Sequence, residues 1–299
     1  MRLGMALGSG GARGWCHIGV LQELKAMGIE PDAVAGCSMG ALVGAAWAAD
    51  RLDALEDWAR SLSLQKYLTY VDLRLSGGGL VQGKAISDVL RDLDVPPRFE
   101  ELSRPLIVVA TDMASGREIW MREGDLFGAV RGSVSIPGVF SPARMDGKWL
   151  LDGGLTNPIP MSACRALGAD RTIAVNPNAR PGHDLWRERA RTGGLWDFLR
   201  QPGVGSYLPE TVRAYLSEKQ SEAMPPNYVD VVSTSIDIMT DFVRAARQAA
   251  DPPHVLLEAD LMNAVTVLEL HRAGEAIDEG RRIVREAAPA LRTAMGMAG

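Results

Sequence analysis

The chain has 299 residues, 46% hydrophobic, 23% charged and only 6% aromatic, so it can bury a core built mainly from aliphatic side chains. That length accommodates one large α/β domain or two small ones. A net charge of −5 without a basic block argues against a nucleic-acid partner and against strong long-range attraction to anionic membranes.

Leu3–Leu7 reads as a first strand that runs into a glycine-rich loop at 8–14. Ile18, Leu21 and Leu24 then recur at helical spacing. A second short strand is predicted at 31–36, followed by an almost wholly apolar helix at 39–49. Helical patterns at about 52–64 and 84–94 flank a glycine-rich stretch at 76–83. Residues 106–111 and Glu118–Met121 are predicted strands joined by the Ala114-Ser115-Gly116 turn, with further strands at 149–151 and 172–175. Strands alternating with helices predict a largely parallel sheet covered on both faces. Residues 176–230 carry scattered prolines, glycines, arginines and clustered aromatics and read as a variable insert. Within it, Trp186, Trp196 and Phe198 mixed with Arg187, Arg189 and Arg191 suit a lid or membrane-surface segment and equally a solvated loop. A helix near 234–249, a strand at 254–258 and a long helix at about 268–288 follow. The expected organisation is one domain over 1–299, with a core at 3–176, the insert at 176–230 and C-terminal helices at 231–290.

Three cysteines, Cys16, Cys37 and Cys164, are odd in number and widely spaced, which suits neither a disulfide framework nor a zinc site and fits a reduced, cytoplasmic compartment. The N-terminus breaks into glycines too early for a signal-peptide apolar region, and no run of 18 apolar residues is present.

Three motifs carry chemistry. In Gly36-Cys37-Ser38-Met39-Gly40 the glycines permit a tight strand-to-helix turn that lifts a serine hydroxyl to a helix N-terminus. Alone, this G-x-S-x-G pattern is weak, and an incidental serine in a βα turn is its plain reading. The loop from Gly8 to Gly14 presents consecutive backbone N–H groups to an anion. A dinucleotide site would require an acidic residue at the end of the second strand, where Gly36-Cys37-Ser38 stands instead. An oxyanion hole serving Ser38 is the better reading of the loop. Asp152-Gly153-Gly154 sets a carboxylate after an apolar strand, although by itself it also reads as a common turn.

The histidines do not complete a triad. His254 and His271 stand in permissible order after Ser38 but lack a recognisable loop context, His183 falls in the insert, and His17 on the first helix reads as a structural hydrogen-bonding residue. Ser38 follows only one strand–helix unit, too early for an α/β-hydrolase.

Taken together, ALGSGGARGWCHIGVL, VAGCSMGALVGAAWA, SVSIPGVFSP and LLDGGLTNPIP resemble the patatin-like phospholipases, specifically the bacterial branch related to the neuropathy-target-esterase catalytic domain. The resemblance covers roughly residues 3–176. It implies a three-layer α/β/α sandwich with a central, mostly parallel sheet. It further implies a Ser38–Asp152 dyad without histidine, Gly10 and Gly11 as oxyanion donors, and Arg13 as a candidate for meeting a lipid phosphate. Gly8, Gly14, Gly36, Gly40, Gly153 and Gly154 shape the motifs. The first position of the family's glycine motif is Ser9 here. The activity implied is phospholipase A or lysophospholipase, on a lipid substrate, without cofactor or metal, in the cytoplasm with transient contact at the inner membrane surface allowed. A catalytically idle interaction protein of the same fold is the rival from another class. Asp112, Arg131 and Asn157 read as structural hydrogen-bonding residues, and Cys37 as buried and inert.

Overall fold

The computed structural model describes residues 1–63, 65–66, 83–180, 228–262 and 264–297. Its strands are β1 (Leu3–Leu7), β2 (Ala33–Cys37), β3 (Leu106–Asp112), β4 (Glu118–Met121), β5 (Ala143–Met145), β6 (Lys148–Asp152), β7 (Arg171–Asn176) and β8 (Val255–Glu258). The helices are α1 (Cys16–Ala26), α2 (Met39–Ala48), α3 (Leu52–Arg60), α4 (Lys84–Asp92), α5 (Leu126–Ser133), α6 (Met161–Ala166), α7 (Tyr228–Ala250), α8 (Ala273–Glu286) and α9 (Ala288–Met295).

All the strands join one sheet, ordered β5-β6-β3-β2-β1-β7-β8, with β4 also paired to β3. The β3-β2-β1-β7-β8 stretch is parallel, and β4, β5 and β6 add antiparallel pairs. Side chains alternate between two cores, as a pleat of period two requires. Met5, Leu7, Val34, Val108 and Val175 pack into the larger core with α1, α2 and α8. Ala6, Ala35, Ile107, Val109 and Ala174 face the opposite way, against Met161, Ala163 and Cys164 of α6. Helices on both faces make the α/β/α arrangement. The small residues on the α6 side let that helix lie close to the sheet.

The register around β3 places the candidate site. Val108 and Val109 pair with β2 and, on their other edge, with β4. Ala110 and Thr111 also pair with β4, but their remaining partner is β6. A strand has two edges, so β2 and β6 lie end to end along the same edge of β3 and point at each other. Cys37 is opposite Val109 and Asp152 is opposite Ala110, so the two strand ends meet one residue apart on the ladder.

Several expected elements shift. The predicted helix at 268–288 is a 3-10 turn at Leu270–Arg272, then α8 and α9, and the helix predicted from 234 begins at Tyr228. Three elements had not been anticipated: α5, α6 and β5. α5 contains two glycines in eight residues and β5 is a three-residue edge strand, so neither shows an apolar period. The insert lies outside the described residues between 181 and 227, including Trp186–Phe198 and His183, as do 76–82 of the glycine-rich stretch. Among the described residues no helix is long and apolar enough to cross a membrane.

Candidate active site

β2 ends at Cys37 and α2 begins at Met39, so Ser38 alone makes the turn. Its φ of 55° and ψ of −122° fall where L-residues with side chains are strained. The flanking glycines make room: a Cβ on Gly36 would lie 2.4 Å from the Gly40 carbonyl oxygen, and one on Gly40 2.2 Å from the Leu7 oxygen. Ser38 thereby sits at the N-terminus of a buried ten-residue helix, whose dipole favours developing negative charge.

Asp152 arrives from the other side. Gly153, next to it, packs so closely that a Cβ would lie 2.3 Å from the Val109 oxygen and 2.9 Å from Cys37 Sγ. The Gly154 N–H donates to Asp152 Oδ1 at 2.7 Å, while Oδ2 is buried without a hydrogen-bond partner. Burial raises the carboxyl pKa to about 6, against the lowering effect of the Ser38 hydroxyl and the Gly154 amide. The Ser38 hydroxyl therefore faces the carboxyl, but no Ser38–Asp152 contact has ordinary hydrogen-bond length and angle. Catalytic contacts commonly tighten only when substrate binds. Ser38 and Asp152 are both buried, as is Cys37, whose thiol burial pushes well above its usual range with the Asp152 charge adding to the effect.

The glycine loop crosses from β1 towards α1. Gly8, Ser9, Ala12 and Arg13 spend their N–H groups on Val175, Pro158, Val267 and Gly10 carbonyls. The Gly10 and Gly11 amides have no such acceptor among the described residues. They are the loop's two available donors. Gly14 packs on Met39, next to the serine, and Gly154 on Ser9, which ties the three motifs into one locus.

Arg13 reaches from the loop towards the C-terminal segment. Its side chain is buried, with Nε donating to the Val265 oxygen (3.0 Å) and Nη1 to Asn178 Oδ1 (2.6 Å) and the Met262 sulfur. Asn178 in turn donates to the Ser9 oxygen at 2.7 Å. Those donors brace the glycine loop against the C-terminal segment.

His17 is likewise a brace. Its Nε2 donates to the Gly8 oxygen at 2.8 Å, its Nδ1 is buried without a partner, and burial lowers its pKa to about 4. A folded pKa below the unfolded value means that the unfolded chain binds the proton first. His17 therefore withdraws up to about 3 kcal/mol of stability as pH falls from about 6.5 to 4. His17→Gln should flatten stability across that window in acid titrations followed by circular dichroism. It should also keep at least about one-tenth of any turnover, less than the loss expected for a general base. His254 and His271 lie far along the chain in contacts with Thr172 and beside Glu269, not with Ser38.

Other residues take structural roles. Asp112 accepts from Ala114 N–H and Ser115 Oγ and closes the β3–β4 turn. Arg131 donates to Ser135 Oγ and the Ser141 oxygen, and Asn157 to Ser162 Oγ. Ser133, Ser135 and Thr111 were not anticipated. Thr111 Oγ1 donates to the Asp152 oxygen, Ser133 Oγ accepts from Ser38 N–H, and the Ser135 oxygen accepts from Asp152 N–H. A serine-rich segment after a helix is too common a pattern to signal this. Among the described residues no group of three or more His, Cys, Asp or Glu could hold a metal ion.

The patatin-like phospholipase family model matches residues 5–165. The chain is 35% identical to an uncharacterised NTE family protein of Mycobacterium tuberculosis, over 97% of its own length and 92% of that protein's. It is 31% identical to neuropathy target esterase sws of Drosophila melanogaster over 65% of its own length and 14% of the fly protein. Among solved structures, VipD from Legionella pneumophila matches 95% of this chain and 66% of its own with a TM-score of 0.43 and 14% identity.

Proposed function

The chain belongs to the patatin-like phospholipase family, and from that premise we propose that it is a serine acyl hydrolase cleaving fatty-acyl esters of phospholipids or lysophospholipids through a Ser38–Asp152 dyad. The observation that carries the reading is the end-to-end meeting of β2 and β6 on β3, which brings a strained serine and a buried carboxyl of raised pKa together.

In the proposed cycle Ser38 Oγ attacks the ester carbonyl and its proton passes to Asp152 Oδ2, the buried oxygen with no other partner. Gly10 and Gly11 N–H groups take the oxyanion. Collapse breaks the C–O bond, and the departing alcohol receives the proton from Asp152. Water then attacks the acyl-enzyme with Asp152 again as base, releasing the fatty acid and restoring Ser38. An environment that raises the carboxyl pKa suits this work, since a free aspartate is a weak base at neutral pH. The single-domain organisation over 1–299 and a peripheral position at the inner membrane surface belong to the same proposal.

A panel of p-nitrophenyl esters of graded chain length, run beside phospholipids and lysophospholipids, tests the substrate class. Fatty-acid release from the lipids supports it, and no hydrolysis of any ester contradicts it. The carboxylate must be ionised to accept the proton, so kcat/KM should fall tenfold per pH unit below an apparent pKa near 6 and level off above it. The absence of any acid limb would place the base elsewhere.

A further inference from the structure

Both strand ends at the site are held by one short segment that carries none of the proposed chemistry. Val34 N–H donates to the Pro105 oxygen at 3.1 Å, which begins the parallel β2–β3 ladder. In such a ladder the rungs recur every second residue, so Ser38 N–H would next meet the Val109 oxygen. It does not. The Ser133 hydroxyl stands between them, accepting from Ser38 N–H at 2.8 Å and donating to the Val109 oxygen at 2.6 Å. Ser133 is fully buried at the end of α5. The inserted hydroxyl lengthens the rung, moves Ser38 off the ladder and satisfies its amide while φ turns positive.

Two residues on, the Ser135 carbonyl accepts from Asp152 N–H at 2.9 Å. Ser135 is itself fixed by Arg131, whose Nη1 donates to Ser135 Oγ at 2.8 Å while Nη2 donates to the Ser141 oxygen at 2.7 Å. The segment Ser133-Val134-Ser135 thus holds the backbone of Ser38 with one residue and that of Asp152 with another.

We infer that Ser133-Val134-Ser135 is a positioning clasp that sets the distance between nucleophile and base, with the Ser133 hydroxyl as its adjustable link. This rests on the dyad reading above. Ser133 touches no substrate and acts only through Ser38. Removing its hydroxyl leaves the Ser38 amide either unpaired or free to fall back towards Val109, in both cases off the line of attack. Displacements of about 1 Å in such geometry cost up to about 10²-fold in rate.

The test uses the full chain, an ester substrate and a fluorophosphonate probe. Ser133→Ala should lower kcat by about 10- to 100-fold with KM nearly unchanged, and slow probe labelling in proportion. The acid limb should stay near pH 6 or move slightly up, because Asp152 keeps its burial and its Gly154 amide while a displaced Ser38 hydroxyl lowers its pKa less. Ser133→Thr and Ser133→Val load the site with equal bulk and differ in the hydroxyl, so they decide the matter should the alanine variant fold poorly. Thr should remain several-fold more active than Val per folded molecule. A folded Ser133→Ala enzyme with near-normal kcat, a loss confined to KM, or equal activity of Thr and Val would overturn the clasp. If wild type does not label at Ser38 at all, the dyad fails first. Normal wild-type labelling with an indifferent Ser133 removes only the clasp.

Discussion

Ser38→Ala is expected to abolish ester turnover, on the order of 10⁴–10⁶-fold, because in the proposed cycle Ser38 Oγ is the group that forms the acyl-enzyme. The variant should fold, since the Ser38 side chain supports nothing else and its amide is held through Ser133. Alanine at φ 55° keeps the backbone strain, whereas glycine does not. Ser38→Gly should therefore be equally inactive yet more stable than Ser38→Ala, by about 1 kcal/mol in urea titrations. An active Ser38→Ala enzyme would remove Ser38 as nucleophile. An unchanged glycine variant would mean that the turn stores little strain.

Asp152→Asn should lower turnover by about 10²-fold or more, within the range for losing a general base, because the amide cannot take the serine proton. Its stability should move the other way. A folded pKa of about 6 against about 3.8 for the free group means that the folded state holds the proton more tightly. Stability from this group is complete below pH 3.8 and is lost as pH rises through 6, so at neutral pH the wild type carries the cost of a buried charge. Asparagine avoids it and still accepts from Gly154 N–H, so the variant should gain up to about 3 kcal/mol above pH 7 and little at pH 4. Between pH 6 and 4 the gain from Asp152 offsets the loss from His17, and Asp152→Asn should expose the His17 acid sensitivity undiluted. A folded Asp152→Asn enzyme with near-normal turnover would reduce Asp152-Gly153-Gly154 to a turn.

Much of this site was legible from one sequence because its chemistry is local. The strand–GCSMG–helix context, the glycine loop after β1 and the carboxylate after β6 each occupy a few consecutive residues. Their convergence was not legible. Ser38 and Asp152 are 114 positions apart, and what joins them is the register of β3 with β2 on one half of an edge and β6 on the other. Register of that kind depends on packing that no single segment encodes. Arg13 shows the same limit: its place beside an anion-binding loop suggests a phosphate ligand, whereas its partners Asn178 and Val265 come from chain 165 and 252 positions away. Ser133 was invisible for the same reason, since its partners lie 95 and 24 residues away.

The most direct measurement of the dyad is the site and rate of fluorophosphonate addition, read by intact and peptide mass spectrometry on wild type and Asp152→Asn. The expected result is one phosphonyl group per chain, on Ser38, forming about 10²-fold more slowly in the variant. An adduct on any other residue, or equal rates in the two proteins, would contradict the Ser38–Asp152 mechanism.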